Sequence, residues 1–340
     1  MNTLVYSASE ILTPCGVLIR NGELVCFPTE TVYGLCANAL DEKAVAKIFE
    51  VKNRPADNPL IVHISDPSML EDIVKEVPKK IKQLTERFWP GPLTVVLPKR
   101  EIIPSIVSAG LDTVEVRCPS HPIALKLIQE SGVPIVAPSA NLSGRPSPTC
   151  LEHCKEDLTG RIAAIIDGGT CEIGVESTVL LPTGDSKVKI LRPGGITPEL
   201  LENAGFEVEL DSAILSPVKK GQKVSSPGML HRHYAPKAPM VIVTGEPKAV
   251  CAAIQKKQGA NVWVLAFEEY LNQFEQALSF GHEKDPLSQS QALFEALRRF
   301  DSLPCNQIYA MYPPEEGVGL AVRNRLLRAA SFQIVSAERL

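Results

Sequence analysis

Helical spacing and short apolar runs divide the chain into two unequal parts. Ala44, Val45, Ile48 and Val51 recur at helical intervals behind Asp41, which predicts a helix over Asp41–Val51 capped by the aspartate. Ile81, Leu84 and Phe88 share one face of a second helix, Pro78–Phe88. Further helices are expected at Glu10–Asn21, interrupted at Pro14, and at His121–Gln129. Apolar runs bounded by proline, glycine or polar residues predict strands at Glu23–Phe27, Leu60–Ile64, Leu93–Leu97 and Thr113–Arg117. Pro134–Ala137, Ile162–Ile166, Ser177–Leu181 and Val188–Leu191 extend the series. Mixed short strands and helices of this kind indicate an α/β domain over residues 1–205.

The pattern then changes. Residues 206–239 hold Pro217, Pro227, Pro236 and Pro239 with the basic pair Lys219 and Lys220, and read as an ordered but irregular linker. Beyond it, Met240–Gly245 and Asn261–Phe267 are buried-type strands, and Ser288–Phe300 is an amphipathic helix. Gln307–Tyr312 is a strand and Leu320–Ala330 a closing helix. Strands alternating with helices predict a second, smaller α/β domain of parallel type over 240–340.

Composition narrows the function classes. Of 340 residues, 44% are hydrophobic and 22% charged, an ordinary globular balance. Lys and Arg total 35 against 39 Asp and Glu, which argues against a protein whose affinity comes from neutralising a long phosphate backbone. A local basic pocket for a small anion remains open. Nine scattered cysteines form no pairing framework, so reduced thiols and a cytoplasmic home are expected. MNTLVYSASEILTP has no basic start and makes a poor secretory signal. No apolar run approaches the roughly 20 residues of a membrane-spanning helix.

The candidate chemistry gathers at strand ends. FPTETVYGL, residues 27–35, is crowded with hydroxyls; it suits either a self-capping loop or a polar ligand site. VKNRPADNPL sets Lys52 and Arg54 beside two prolines, either as a solvated basic turn or as cations held for an anion. In TVEVRCP, Thr113, Glu115 and Arg117 share one face, so Arg117 either clamps a carboxylate or pairs with Glu115. APSANLSGRPSPT packs Ser139, Asn141, Ser143 and Ser147 into one loop after a buried strand. Ser177 and Arg192 also stand at strand ends. Together these turns describe one anion-binding cavity. CLEHC offers two thiols and His153 but lacks the four ligands of a structural zinc site. GVGLAV has two of the three glycines of a dinucleotide fingerprint.

The chain resembles the YrdC-type threonylcarbamoyl-AMP synthases in their long, two-domain form. PTETVYGL, KNRP followed by NPL, FWPGPLT, VRCPSHP, PSANLSGRPSPT, IIDGG, VESTV, RPGGIT, SPGM followed by RHYAP, and PPEEGVGLAVRNRLLRAA carry the likeness in order. The resemblance implies a twisted mixed sheet around a basic cavity, a Rossmann-like C-terminal domain and a linker over the site. It implies condensation of L-threonine, bicarbonate and ATP to threonylcarbamoyl-AMP and pyrophosphate. Mg²⁺ would accompany ATP, and a separate transferase complex would pass the product to tRNA, without tight tRNA binding by this chain.

Carried over by position, Thr31, His63, Arg117, Ala137 and Ser177 would bind threonine. Lys52, Arg54, Asn58, Thr113, Ser139, Asn141, Ser147, Arg192, His233 and Tyr234 would surround ATP. Lys52 and Arg54 would act catalytically by offsetting repulsion between carbamate and phosphate oxygens. His63 is a candidate for deprotonating the amine. Leu230, where relatives often carry a basic residue, and Glu115, where many carry a small apolar one, depart from the family pattern. An RNA-binding module is the rival reading, weakened by net acidity and few aromatic platforms. Carbamoyl transfer in hydrogenase maturation uses a related domain with modules this chain lacks.

Overall fold

Strands too short to stand alone are joined here into two sheets. The computed structural model describes residues 2–7, 12–217 and 234–340. Among these, the first sheet has eleven strands. They are β1 (Leu4–Ser7), β2 (Val25–Phe27), β3 (Gly34–Asn38), β4 (Ile61–His63), β5 (Leu93–Pro98) and β6 (Thr113–Arg117). β7 (Ile135–Val136), β8 (Ala164–Asp167), β9 (Thr178–Pro182), β10 (Lys187–Arg192) and β11 (Glu207–Leu210) follow. Their order is β1-β8-β2-β3-β7-β4-β6-β5-β9-β10-β11, with parallel and antiparallel neighbours mixed.

The expected helix at Asp41 spans Glu42–Lys52, and Asp41 accepts from the N–H groups of Lys43 and Ala44. It stops at Asn53, which takes a left-handed φ of 51° while Arg54 N–H returns to Phe49 O at 2.9 Å. In the first sheet β1, β3 and β11 escaped the sequence pattern. β3 is built of GLCAN, small residues with little strand preference, and is held by antiparallel pairing to β2 and β7. β11 lies beyond the expected domain boundary at residue 205 and pairs with β10, so the first sheet extends into the stretch read as linker. Residues 218–233 of that stretch, with Leu230 and His233, lie outside the described residues.

The second sheet is all parallel: β12 (Met240–Thr244), β13 (Val262–Ala266), β14 (Ala277–Ser279), β15 (Gln307–Met311) and β16 (Ile334–Ser336), ordered β14-β13-β15-β12-β16. The two domains meet through buried charge. Arg298, on the helix Pro286–Arg299, reaches Asp157 at 2.7 Å and Pro146 O at 2.7 Å. Val32 and Val175 of the first domain join the apolar core of the second. No helix among the described residues is long and apolar enough to cross a membrane.

Candidate active site

The hairpin between β2 and β3 and the ends of β4, β6, β7 and β10 surround one pocket, with about 630 Å³ of empty space counted out to its mouth. All five positions expected to meet threonine line it: Thr31, His63, Arg117, Ala137 and Ser177. Arg54, Ser139, Arg192 and Tyr234 line it as well. Thr113 does not; it lies in a separate small recess with Glu115. Asn58, Asn141 and Ser147 are buried beside the pocket without lining it, and His233 lies outside the described residues.

Three guanidinium groups converge on this space from distant segments. Arg192 ends β10, and its Nε and Nη2 donate to the carbonyl and hydroxyl of Ser177 at 3.0 and 3.1 Å. Arg54 donates to Asn58 O and Pro59 O at 3.3 and 3.0 Å. Its Nε is buried and has no partner among the described residues. Burial pulls the Arg54 guanidinium down to about 10, against the opposing pull of Glu115. Arg117 pairs with Glu30 at 2.6 Å, not with Glu115 as its strand face suggested. Glu115 contributes to the fields of Arg54 and Arg192 instead.

Lys52 corrects a stronger expectation. Its side chain is 1% exposed and stands behind the pocket wall. The ammonium donates to Ser139 O at 2.5 Å and to Asn141 O, and so pins the backbone of the 139–141 turn. The turn is further tied by Ser139 Oγ donating to Asn141 Oδ1 at 2.6 Å. Burial, then Arg54, lower Lys52 to about 7. The helix end faces the lysine toward these carbonyls, and only Arg54 turns to the pocket.

His63 is equally specific. Nδ1 donates to Ile61 O at 3.2 Å, which leaves Nε2 as the acceptor. Burial, reinforced by Arg117, depresses the ring to about 3. A neutral imidazole that weakly basic is a poor proton acceptor, which weighs against His63 as the base. Tyr234 closes one side. It holds a left-handed φ of 62° and stacks on Phe294 with centroids 5.2 Å apart.

Two carboxylates were not anticipated. Glu30 lies within PTETVYGL and Glu176 within VESTV, yet their partners lie 87 and 149 residues away. Glu176 is the one carboxylate among the described lining residues. One of its oxygens accepts from Ser147, and the other meets Arg325 Nε at 2.8 Å. Glu176 is thus the single carboxylate the described lining offers to a magnesium ion, and both of its oxygens already have a partner. Cys150, His153 and Glu295 have ligand atoms within 4.8 Å of one another. There Thr149 N–H donates to His153 Nδ1 at 3.2 Å, so Nε2 keeps its proton and gives it to Glu295 at 2.7 Å. That tautomer leaves no lone pair for a metal and makes the group an interdomain hydrogen bond.

Comparison with known proteins agrees with this architecture. A family model described as Telomere recombination, covering Sua5, YciO and YrdC, matches residues 17–194. A second, described as the threonylcarbamoyl-AMP synthase C-terminal domain, matches residues 196–331. A threonylcarbamoyl-AMP synthase of Bacillus subtilis is 48% identical over 95% of this chain and 94% of its own length. One of Pyrococcus abyssi is 47% identical, with 93% of each covered. The crystal structure of Pyrococcus abyssi Sua5 complexed with L-threonine superposes with a TM-score of 0.91 at 44% identity, covering 99% of both chains.

Proposed function

The chain belongs to the threonylcarbamoyl-AMP synthase family, and on that premise we propose that it condenses L-threonine, bicarbonate and ATP into threonylcarbamoyl-AMP. The observation that carries the reading is the convergence of Arg54, Arg117 and Arg192 on one pocket whose single described lining carboxylate is already paired. Net positive charge gathered in one pocket suits a reaction that brings anions together.

In this reading the threonine carboxylate lies against Arg117, with Thr31, His63, Ala137 and Ser177 around the rest of the amino acid. Neutral His63 offers Nε2 as an acceptor for the ammonium or hydroxyl of threonine. The ammonium first gives one proton to solvent; the free amine nitrogen then bonds to the bicarbonate carbon, and a bicarbonate oxygen leaves as water with a second amine proton. A carbamate oxygen then attacks the α-phosphorus as the bond to the β-phosphate breaks and pyrophosphate departs. Arg54 and Arg192 offset the repulsion between the approaching oxygens, and their fixed placement needs no reorganisation as charge moves to pyrophosphate. Ser139 and Tyr234 border the nucleotide side, with Asn58, Thr113, Asn141, Ser147 and His233 as its neighbours. Lys52 acts from behind, by fixing the turn that carries Ser139.

Magnesium would accompany the triphosphate, whose oxygens would hold it, and would offset part of the phosphate charge. The product is an activated carbamate that a tRNA threonylcarbamoyl transferase complex would consume. We place the reaction in the cytoplasm; none of the nine cysteines is in a disulfide, a state that reducing compartments maintain.

Pyrophosphate release tests the reading. With ATP and bicarbonate present, release should depend on threonine and fall with serine, which lacks one methyl; such a contact is worth about 1–3 kcal/mol. Release that ignores the amino acid would overturn it.

A further inference from the structure

The second domain reaches the pocket at one point of charge. Arg325 lies on the helix Gly319–Ala329 and is 0% exposed. Besides Glu176, its Nη1 donates to Pro193 O at 2.8 Å and Asn324 Oδ1 at 3.0 Å, so its orientation is fixed. Glu176 stands within the field of two guanidinium groups, Arg325 and Arg192. Burial alone would raise its carboxyl; Arg325 and then Arg192, with the hydroxyl of Ser147, reverse this and hold it at about 2. The carboxylate oxygens are nevertheless bonded to Arg325 and Ser147, while Arg192 donates to the carbonyl and hydroxyl of Ser177.

We propose that Arg325 is a positioning residue for the adenylation site: it sequesters the charge of Glu176, so that Arg192 stays available to an incoming polyphosphate. Without Arg325, Glu176 is a buried anion whose strongest remaining cationic neighbour is Arg192. It would draw that guanidinium to itself and repel phosphate oxygens. The second domain is then part of the active site electrostatically, though Arg325 does not line the pocket. The inference rests on ATP being the substrate, as proposed above.

The test uses the full chain. Wild type, Arg325→Met and the double variant Glu176→Gln/Arg325→Met are compared for KM and kcat in threonine-dependent pyrophosphate release. Binding of a non-hydrolysable ATP analogue is measured by calorimetry. Arg325→Met should raise the KM for ATP about tenfold or more, with a smaller change in the KM for threonine, and weaken analogue binding in step. The double variant, which removes the stranded anion, should return both to within about threefold of wild type. A folded Arg325→Met with wild-type nucleotide affinity, or a double variant no better than the single, overturns the proposal. Should Arg325→Met fail to fold, the double variant alone decides: near-native affinity upholds the proposal and weak affinity overturns it. A wild-type protein that neither binds the analogue nor releases pyrophosphate refutes the ATP reading itself, a result distinct from the others.

Discussion

Glu30 and Arg117 form an ion pair at 2.6 Å with each side chain 4% exposed, joining the β2–β3 hairpin to the end of β6. One oxygen of Glu30 holds Nη2 of the guanidinium, Nε donates to Gly91 O at 3.4 Å, and Arg117 also lines the pocket. Arg117→Lys keeps a charge for Glu30 but loses the planar fork. It should raise the KM for threonine about tenfold or more, the worth of one charge-assisted hydrogen bond. Arg117→Ala strands Glu30 and should also cost about 3–5 kcal/mol of stability. Threonine titrations and urea unfolding separate the two effects. An unchanged KM in Arg117→Lys would remove Arg117 from the carboxylate site.

Lys52→Ala should lower stability as well as turnover. It leaves the carbonyls of Ser139 and Asn141 without their donor in a buried turn. The expected loss is about 2–4 kcal/mol, comparable to stranding two buried polar groups. If thermal unfolding is unmoved while turnover collapses, the lysine acts on substrate directly and its structural assignment fails.

His63 makes folding pH-dependent in a defined direction. Its ring is held at about 3 against an ordinary 6.5. As pH falls below 6.5, the unfolded chain takes up a proton at this position and the folded chain does not. Stability that is fully present above about pH 6.5 is therefore lost progressively toward pH 3, by about 2 kcal/mol at pH 5. His63→Asn should flatten that part of the curve in denaturant titrations at several pH values. The same variant should leave the shape of the turnover–pH profile near pH 6.5 unchanged; loss of a limb there would restore His63 as a proton carrier.

Gly194 is a packing requirement of the site. A Cβ there would stand 2.4 Å from Glu176 O and 2.4 Å from Thr178 N, both backbone atoms. Gly194→Ala must push the stretch carrying Glu176 and Ser177 away from β10, at a cost of about 1–3 kcal/mol. Weaker threonine binding should accompany it. Gly259→Ala, where a Cβ meets nothing within 4 Å, is the control and should behave as wild type. Equal behaviour of the two variants would refute the close-approach account.

Much of the architecture was legible in local pattern. Asp41 caps its helix, Thr113–Arg117 is a strand over its expected span, and the five main elements expected after residue 239 are present within one to two residues. These features depend on side-chain spacing and capping among near neighbours, which a linear reading captures. β3 and β11 were not legible, because GLCAN and EVEL become strands only where a neighbouring strand supplies the hydrogen bonds.

The order of residues by itself determined which cations and hydroxyls stand at strand ends, and hence that an anion pocket forms. Tertiary structure decided what each charge faces. Arg117 meets Glu30 rather than Glu115, Lys52 turns to two carbonyls rather than to the pocket, and Glu176 is held by an arginine from the other domain. The reason is physical. A buried charge is stable only beside its partner, and which partner arrives depends on how elements far apart in the chain pack, which no local spacing encodes.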